Sequence, residues 1–345
     1  MVPRPLFALC LLGALAATAA PAGGQTFNVL RTGLCMERIV GPDGAGAGIA
    51  TGVLADEAFV ALCNGKWAHI GPDGRPPLSE PPRLPAVPDD PERLPDAQVT
   101  RSAGPIAAAW LIEPTERYGH GVLGDATEAA GLRVLRRSGV MLDLRLDERS
   151  VFEDLRVRIA DLTGDGATEL IVVRSQLDQG AALAVYGLEG NLLRPVAETR
   201  PIGQRNRWLN PAGAADFDGD GRVEIAYVET PHIGGILRLF ELRAGELRPD
   251  GVLRGFSNHA IGSRELGLAA VLDWNGDGRP DLALPDATRK RMTIVGAPGR
   301  RLTLLDAVAH EARISTAVLA TDFNGDGAAE LLYGLENGDL VLARP

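Results

Sequence analysis

The sequence is poor in the residues and patterns from which most catalytic centres are built. It has three cysteines and five scattered histidines in 345 residues, and no G-x-S-x-G, H-E-x-x-H or phosphate-cradling glycine loop. No recognisable nucleophile, zinc set or nucleotide site therefore stands out. A CxxC pair is also missing and neither cysteine sits near a His-rich segment, so a metal or catalytic thiol pair is the lesser reading of Cys35 and Cys63. A basic excess is lacking too. The formal charge of −10 argues against a nucleic-acid partner, which needs a basic face. Beyond the N-terminus no apolar run is long enough to cross a bilayer, so no transmembrane segment is expected after a leader is removed.

Residues 1–24 read as such a leader. Arg4 is its single charge, Leu6 to Ala17 form an apolar core, and Ala16-Ala17-Thr18-Ala19-Ala20 offers small residues for cleavage. Export to the periplasm or the exterior puts Cys35 and Cys63 in an oxidising compartment, where one disulfide between them is the simple expectation.

What the sequence does have is a repeated acidic loop. Asp216-Phe217-Asp218-Gly219-Asp220-Gly221-Arg222-Val223-Glu224 sets oxygen-bearing side chains at positions 1, 3, 5 and 9, with glycine at 6. Alternate side chains point inward, the glycine permits a sharp turn, and a backbone carbonyl can serve at position 7, which is how a short loop wraps a hard cation. The same pattern recurs at Asp161, Thr163, Asp165 and Glu169, at Asp273, Asn275, Asp277 and Asp281, and at Asp322, Asn324, Asp326 and Glu330. The first aspartates are 55, 57 and 49 residues apart, the spacing of a repeat architecture. An EF-hand is excluded, because its twelfth position would need Glu and here holds Val172, Tyr227, Leu284 and Tyr333. The bland alternative is that the loops are good hairpin turns without metal. Thirteen Asp and Glu residues fall in the four loops, so the acidity is largely a property of these sites.

Each loop is entered and left by short β-type apolar runs, and about four such runs recur per fifty residues, the pattern of a β-propeller blade. Residues 106–146 resemble a blade without the loop, interrupted by an insert from Glu113 to Gly131. The last unit stops one strand short at Pro345 and is expected to borrow a strand from Gln98–Arg101 or from residues 26–71. The expectation is an all-β fold: a propeller over 97–345 of about five four-stranded blades, six if residues 26–71 form one, with seven left open. Before it come a small disulfide-bonded β element at 25–71, with an Asn64-Gly65 hairpin turn, and a proline-rich linker at 72–96.

On these residues the chain resembles the FG-GAP/VCBS repeat family, whose integrin-alpha-like members are calcium-binding β-propellers. The resemblance covers roughly 97–345 and rests on the four D-x-[DNT]-G-D-G-x-x-[DE] loops. It implies up to four Ca²⁺ ions, each held between the first and second strands of a blade by positions 1, 3, 5 and 9 named above. The Phe-Gly signature is missing, which brings the chain nearer the VCBS type. Thr163 replaces a carboxylate or amide, so the first site is expected to be the weakest. The exported, bacterial character also comes from this resemblance.

Propeller geometry sends the remaining connections to the opposite face, where loops carry function on a framework that holds them. The candidates there are Tyr118, His120, Arg205, Asn206, Arg207, Trp208, Asn210, Glu229, His232, Asn258, His259, Arg264 and Glu265. They suit a binding module for a glycan, peptide or protein. A hydrolase or lyase acting on envelope polysaccharide, using acid and base residues of that face, is the rival class. The structural alternative is that Arg264 and Glu265 are paired and Trp208 fills the interior.

Overall fold

The computed structural model describes residues 26–30, 35–41, 57–70, 78–82, 89–322 and 325–345. The leader at 1–24, the prolines at 72, 76, 77, 85 and 88, and the expected ligand Asn324 lie outside these residues. The described chain is all-β, in antiparallel sheets.

Three sheets repeat one plan. In the first, Leu209–Ala215, Glu224–Glu229, Ile236–Arg243 and Glu246–Arg254 pair in sequence order, with the Asp216 loop between the first two strands. In the second, Ala270–Leu272, Asp281–Pro285, Arg291–Gly296 and Thr303–Ala309 repeat this around the Asp273 loop. The third holds Leu319–Thr321, Glu330–Gly334 and Leu340–Arg344 around the Asp322 loop, and its fourth strand is Thr26–Leu30, in register from Thr26↔Arg344 to Leu30↔Leu340. The missing strand is thus supplied by the chain's N-terminal region, which ties the two ends of the molecule together.

The Asp161 loop lies between Arg158–Ala160 and Glu169–Gln176, which continues through Gly180–Glu189 to Leu192–Glu198. This meander is fused into one nine-stranded sheet with another, Thr100–Arg101, Ile106–Thr115, Glu128–Arg136 and Met141–Arg145. The short strand Ser150–Phe152 pairs with both halves. Residues Met36–Val40, Ala58–Leu62, Trp67–Ile70 and Leu78–Ser79 make a separate four-stranded sheet, carrying the Cys35–Cys63 disulfide. Leu78–Ser79 falls inside the stretch expected as a linker. The end of that stretch is also anchored: Asp90 accepts hydrogen bonds from Trp110 Nε1 at 2.6 Å and Arg133 at 2.9 Å, and Leu94 is buried.

Side-chain chemistry explains the layering. In the Asp216 sheet the first strand is buried throughout, while the fourth is exposed or half-buried throughout. Small residues on the first strand permit close approach. A Cβ at Gly213 would meet Val271 of the next sheet at 2.6 Å, so only glycine fits there. Apolar clusters join successive sheets. Trp208, Ile225 and Tyr227 pack with Leu170 and Val185, Phe217 and Val228 with Val271 and Leu284, Leu272 and Ala283 with Leu331 and Tyr333, and Leu332 and Leu342 with Val60 and Ile70. This burial of apolar area is the dominant favourable term in the fold.

Candidate functional site

The antiparallel meanders give the molecule two chemically different ends. At one end stand the acidic loops, which share an internal bonding scheme. The first aspartate accepts backbone N–H groups of the glycines at positions 4 and 6: Gly164 and Gly166, Gly219 and Gly221, Gly276 and Gly278, Gly325 and Gly327. The aspartate at position 5 accepts the N–H of position 7 in every loop. The acid at position 9 is buried in all four, and in three it reaches back to the N–H of position 2, from Leu162, Phe217 and Trp274. These are turn-stabilising bonds that a hairpin would make without metal.

One loop goes further. Asp216, Asp218, Asp220 and Glu224 bring carboxylate oxygens within 4.8 Å of one another, the single such group among the described residues. Ligands on opposite sides of a Ca²⁺, each about 2.3–2.6 Å from it, are separated by about that distance. This donor set therefore fits a hard divalent cation. Burial pushes the Glu224 carboxyl up to about 8, with Asp218, Asp250 and Asp216 adding repulsion. Such crowding is relieved by a cation. Guanidinium groups already gather there. Arg300, from the turn after Arg291–Gly296, lies 2.9 Å from Asp220 and 3.4 Å from Asp218, and Arg222 also pairs with Asp220. In the Asp273 loop, burial raises Asp281 to about 6, and burial raises Glu169 in the Asp161 loop as well.

At the other end, loops from separate parts of the chain are bonded into one surface. Gly262 N–H donates to the Val122 carbonyl at 2.8 Å, Thr230 N–H to the Trp208 carbonyl at 2.9 Å, and Asn206 N–H to the Tyr118 hydroxyl at 2.9 Å. Arg205 lies over the buried Tyr118 ring at 5.4 Å and donates to the Tyr118 carbonyl at 2.9 Å. His120 meets the same ring edge-on, and its Nδ1 bonds Glu153, which also accepts from the Ser175 hydroxyl. Burial pushes the Glu153 carboxyl up against the opposing pull of these partners.

Next to this group, Trp208 donates Nε1–H to the Glu153 carbonyl at 2.8 Å and stacks on His232. His259 Nε2 is 2.9 Å from the Ser263 carbonyl, which can only accept, so Nε2 carries the proton and Nδ1 is the acceptor. His232 Nε2–H then donates to that Nδ1 at 2.8 Å. Burial lowers the pKa of His232 to about 4 and that of His259 to about 3, with Arg289 disfavouring the charge on each. Both rings are neutral near pH 7.

The candidates therefore divide. Tyr118, His120, Arg205, Asn206, Trp208, His232 and His259 form one connected network. Asn210 and Asn258 instead clasp each other's backbone in the interior: Asn210 Nδ2 donates to the Asn258 carbonyl at 3.0 Å, and Asn258 Nδ2 to the Asn210 carbonyl at 3.1 Å. Glu229 pairs with Arg238 at 2.8 Å. Arg264 pairs with Asp96 and Asp125, each at 2.7 Å. Glu265 accepts the Gly267 N–H at 2.7 Å and faces Arg156. Arg207 donates from its guanidinium to the Asn206 carbonyl at 3.3 Å. Glu153, Ser175 and Arg289 were missed from sequence. Glu153 left one signal: with Asp154 it stands between apolar Phe152 and Leu155, where a charged group needs a buried partner.

Repeated meanders with aspartate-glycine loops define a β-rich repeat protein. More particularly, residues 161–227 match the family described as FG-GAP-like repeat, so the chain carries an FG-GAP-like repeat. The match spans the Asp161 and Asp216 loops and the strands that follow them. No curated protein matches the chain significantly.

Proposed function

We propose that the chain is an exported, calcium-stabilised β-propeller that serves as an interaction module, binding a glycan, peptide or protein through the end opposite its acidic loops. In this reading the four meanders that carry acidic loops, the Ile106 meander and the N-terminal sheet are blades. The FG-GAP-like repeat supports an interaction role. The observation that carries the reading is the bonded network of Tyr118, His120, Arg205, Trp208, His232 and His259, drawn from loops far apart in sequence. Pre-organisation of this kind lowers the cost of binding. Calcium would be held by Asp161, Thr163, Asp165 and Glu169; Asp216, Asp218, Asp220 and Glu224; Asp273, Asn275, Asp277 and Asp281; and Asp322, Asn324, Asp326 and Glu330. The close carboxylates of the second set give it the strongest support.

A thermal-shift screen of the calcium-loaded chain against oligosaccharides, small acids and peptides tests the reading, because a ligand of the native state raises the melting point by mass action. A compound that shifts the wild type and leaves Arg205→Ala unmoved supports it. Absence of any shifting compound removes the small-ligand form of the proposal.

One observation favours the rival class, a hydrolase or lyase acting on envelope polysaccharide. Glu153 holds His120 Nδ1 and so fixes the imidazole with its Nε2 as the remaining proton-exchanging atom. Turnover of an oligosaccharide that disappears in His120→Ala would establish that class.

A further inference from the structure

We infer that the partner at this end is a polypeptide segment combining acidic and aliphatic side chains, engaged by Arg205 together with Ile233 and Ile261. The inference rests on the interaction reading above and narrows its partner to one class. Arg205 is exposed, and among the described residues no carboxylate lies within ion-pair distance of its guanidinium. Its position is nonetheless fixed, by the Tyr118 ring and the Tyr118 carbonyl. The segment bearing it is pressed against its neighbour: a Cβ at Gly180 would meet the Gln204 carbonyl oxygen at 2.3 Å. An oriented, unpaired guanidinium is a ready fork for a carboxylate. At the same end Arg289 has its Nη1 buried without a hydrogen-bond partner, while its Nη2 lies 3.9 Å from Glu336.

Apolar character decides between partner classes. Ile233 and Ile261 are 64% and 73% exposed, each in the loop that carries one of the paired histidines. The aromatic rings of the network are spent inside: Trp208 and Tyr118 are each 2% exposed. Sugar rings and nucleobases would find no aromatic platform on these two rings, whereas aliphatic side chains would cover the two isoleucines. Backbone strain accumulates here as well. Among the described residues, Asn206, Thr230 and Arg289 are three of the six non-glycine residues at positive φ, and one lies in each of three loops of this end. Strain of this sort persists where the surrounding structure holds it and is concentrated at binding sites.

The test is selection of a random dodecapeptide library on the immobilised full-length chain, followed by anisotropy titration of the selected peptides. The expected peptides join Asp or Glu to Leu, Ile or Val, bind more weakly in high salt, and lose about tenfold or more in affinity with Arg205→Glu and with Ile261→Asp. Arg205→Lys, which keeps the charge and removes the fork, should lose less. Neutral or basic selected sequences, acidic ones that bind Arg205→Glu equally well, or no enrichment would each overturn the inference. If an oligosaccharide then shifts the wild-type melting point and spares Arg205→Ala, the interaction reading survives without it. Self-association of the chain that Arg205→Glu abolishes would also overturn it, in favour of a second copy as partner.

Discussion

The two ends of the strands are built on opposite principles. At the acidic end one nine-residue loop is used four times, and its polar atoms are largely consumed by its own backbone. At the other end no two loops are alike, and their side chains reach across to residues far away in sequence, as Arg205 does to Tyr118 and His232 to His259. Repetition solves a problem that every sheet shares, the turn between its first two strands. Difference is what a surface needs to recognise something asymmetric. The acidic end should therefore govern stability and the other end recognition, and the two should separate experimentally.

Removing divalent cations should give the largest effect. Saturation a thousandfold above Kd stabilises by about 4 kcal/mol per site, which corresponds to a fall of roughly six degrees in melting point per site for a chain of this size. Calorimetry with and without chelator measures it. An unchanged melt would remove calcium from the account and leave the loops as turns. Asp218→Ala should abolish more of the response than Asp165→Ala, because the Asp216 loop has the four close carboxylates. Equal losses would erase that distinction.

Trp208→Ala comes next. The ring is buried, stacked on His232 and bonded to the Glu153 carbonyl, and its truncation should cost about 3–5 kcal/mol. Denaturant titration reads the loss, and the chelator response should persist on the lowered baseline. Loss of that response would show that the two ends are coupled.

A smaller effect follows from the neutral histidine pair. The folded-state pKa values, about 4 for His232 and about 3 for His259, lie below the ordinary 6.5. Below pH 6.5 the unfolded chain takes up protons that the folded chain refuses, so stability declines as pH falls and the decline levels off below the folded values. Each histidine contributes at most about 1.4 kcal/mol per pH unit in that window, and less for the partly exposed His232. In chelator-containing buffer, His259→Asn should show a shallower loss of urea midpoint between pH 7 and pH 5 than the wild type.

How much of this was legible in sequence follows the same division. The loops could be read because their spacing is local: aspartates and glycines within nine residues dictate the turn, and β-type runs flank it. The expectation of a borrowed fourth strand is met by Thr26–Leu30, which pairs with Leu340–Arg344. The binding end was legible only as a collection of polar and aromatic residues. Which of them meet depends on how sheets pack, so Asn210 and Asn258 looked like ligand contacts and are interior clasps. Glu153 escaped notice because its partner His120 lies 33 residues earlier. Arg289 gave no sign, since the burial of its Nη1 away from any hydrogen-bond partner is set by packing and not by neighbours along the chain.

The smallest expected effect on stability sharpens the comparison most. Arg205→Ala removes an exposed guanidinium whose tie to Tyr118 is worth about 0.5–1 kcal/mol. Its melting point and chelator response should stay close to those of the wild type, while binding of any ligand at this end is lost. A stable, calcium-responsive chain that no longer binds would place recognition in side chains that the fold does not need. A marked fall in stability would instead make Arg205 part of the framework, because an exposed side chain whose loss unfolds the loops is holding Tyr118 and Asn206 in place and is not offering a fork to a partner.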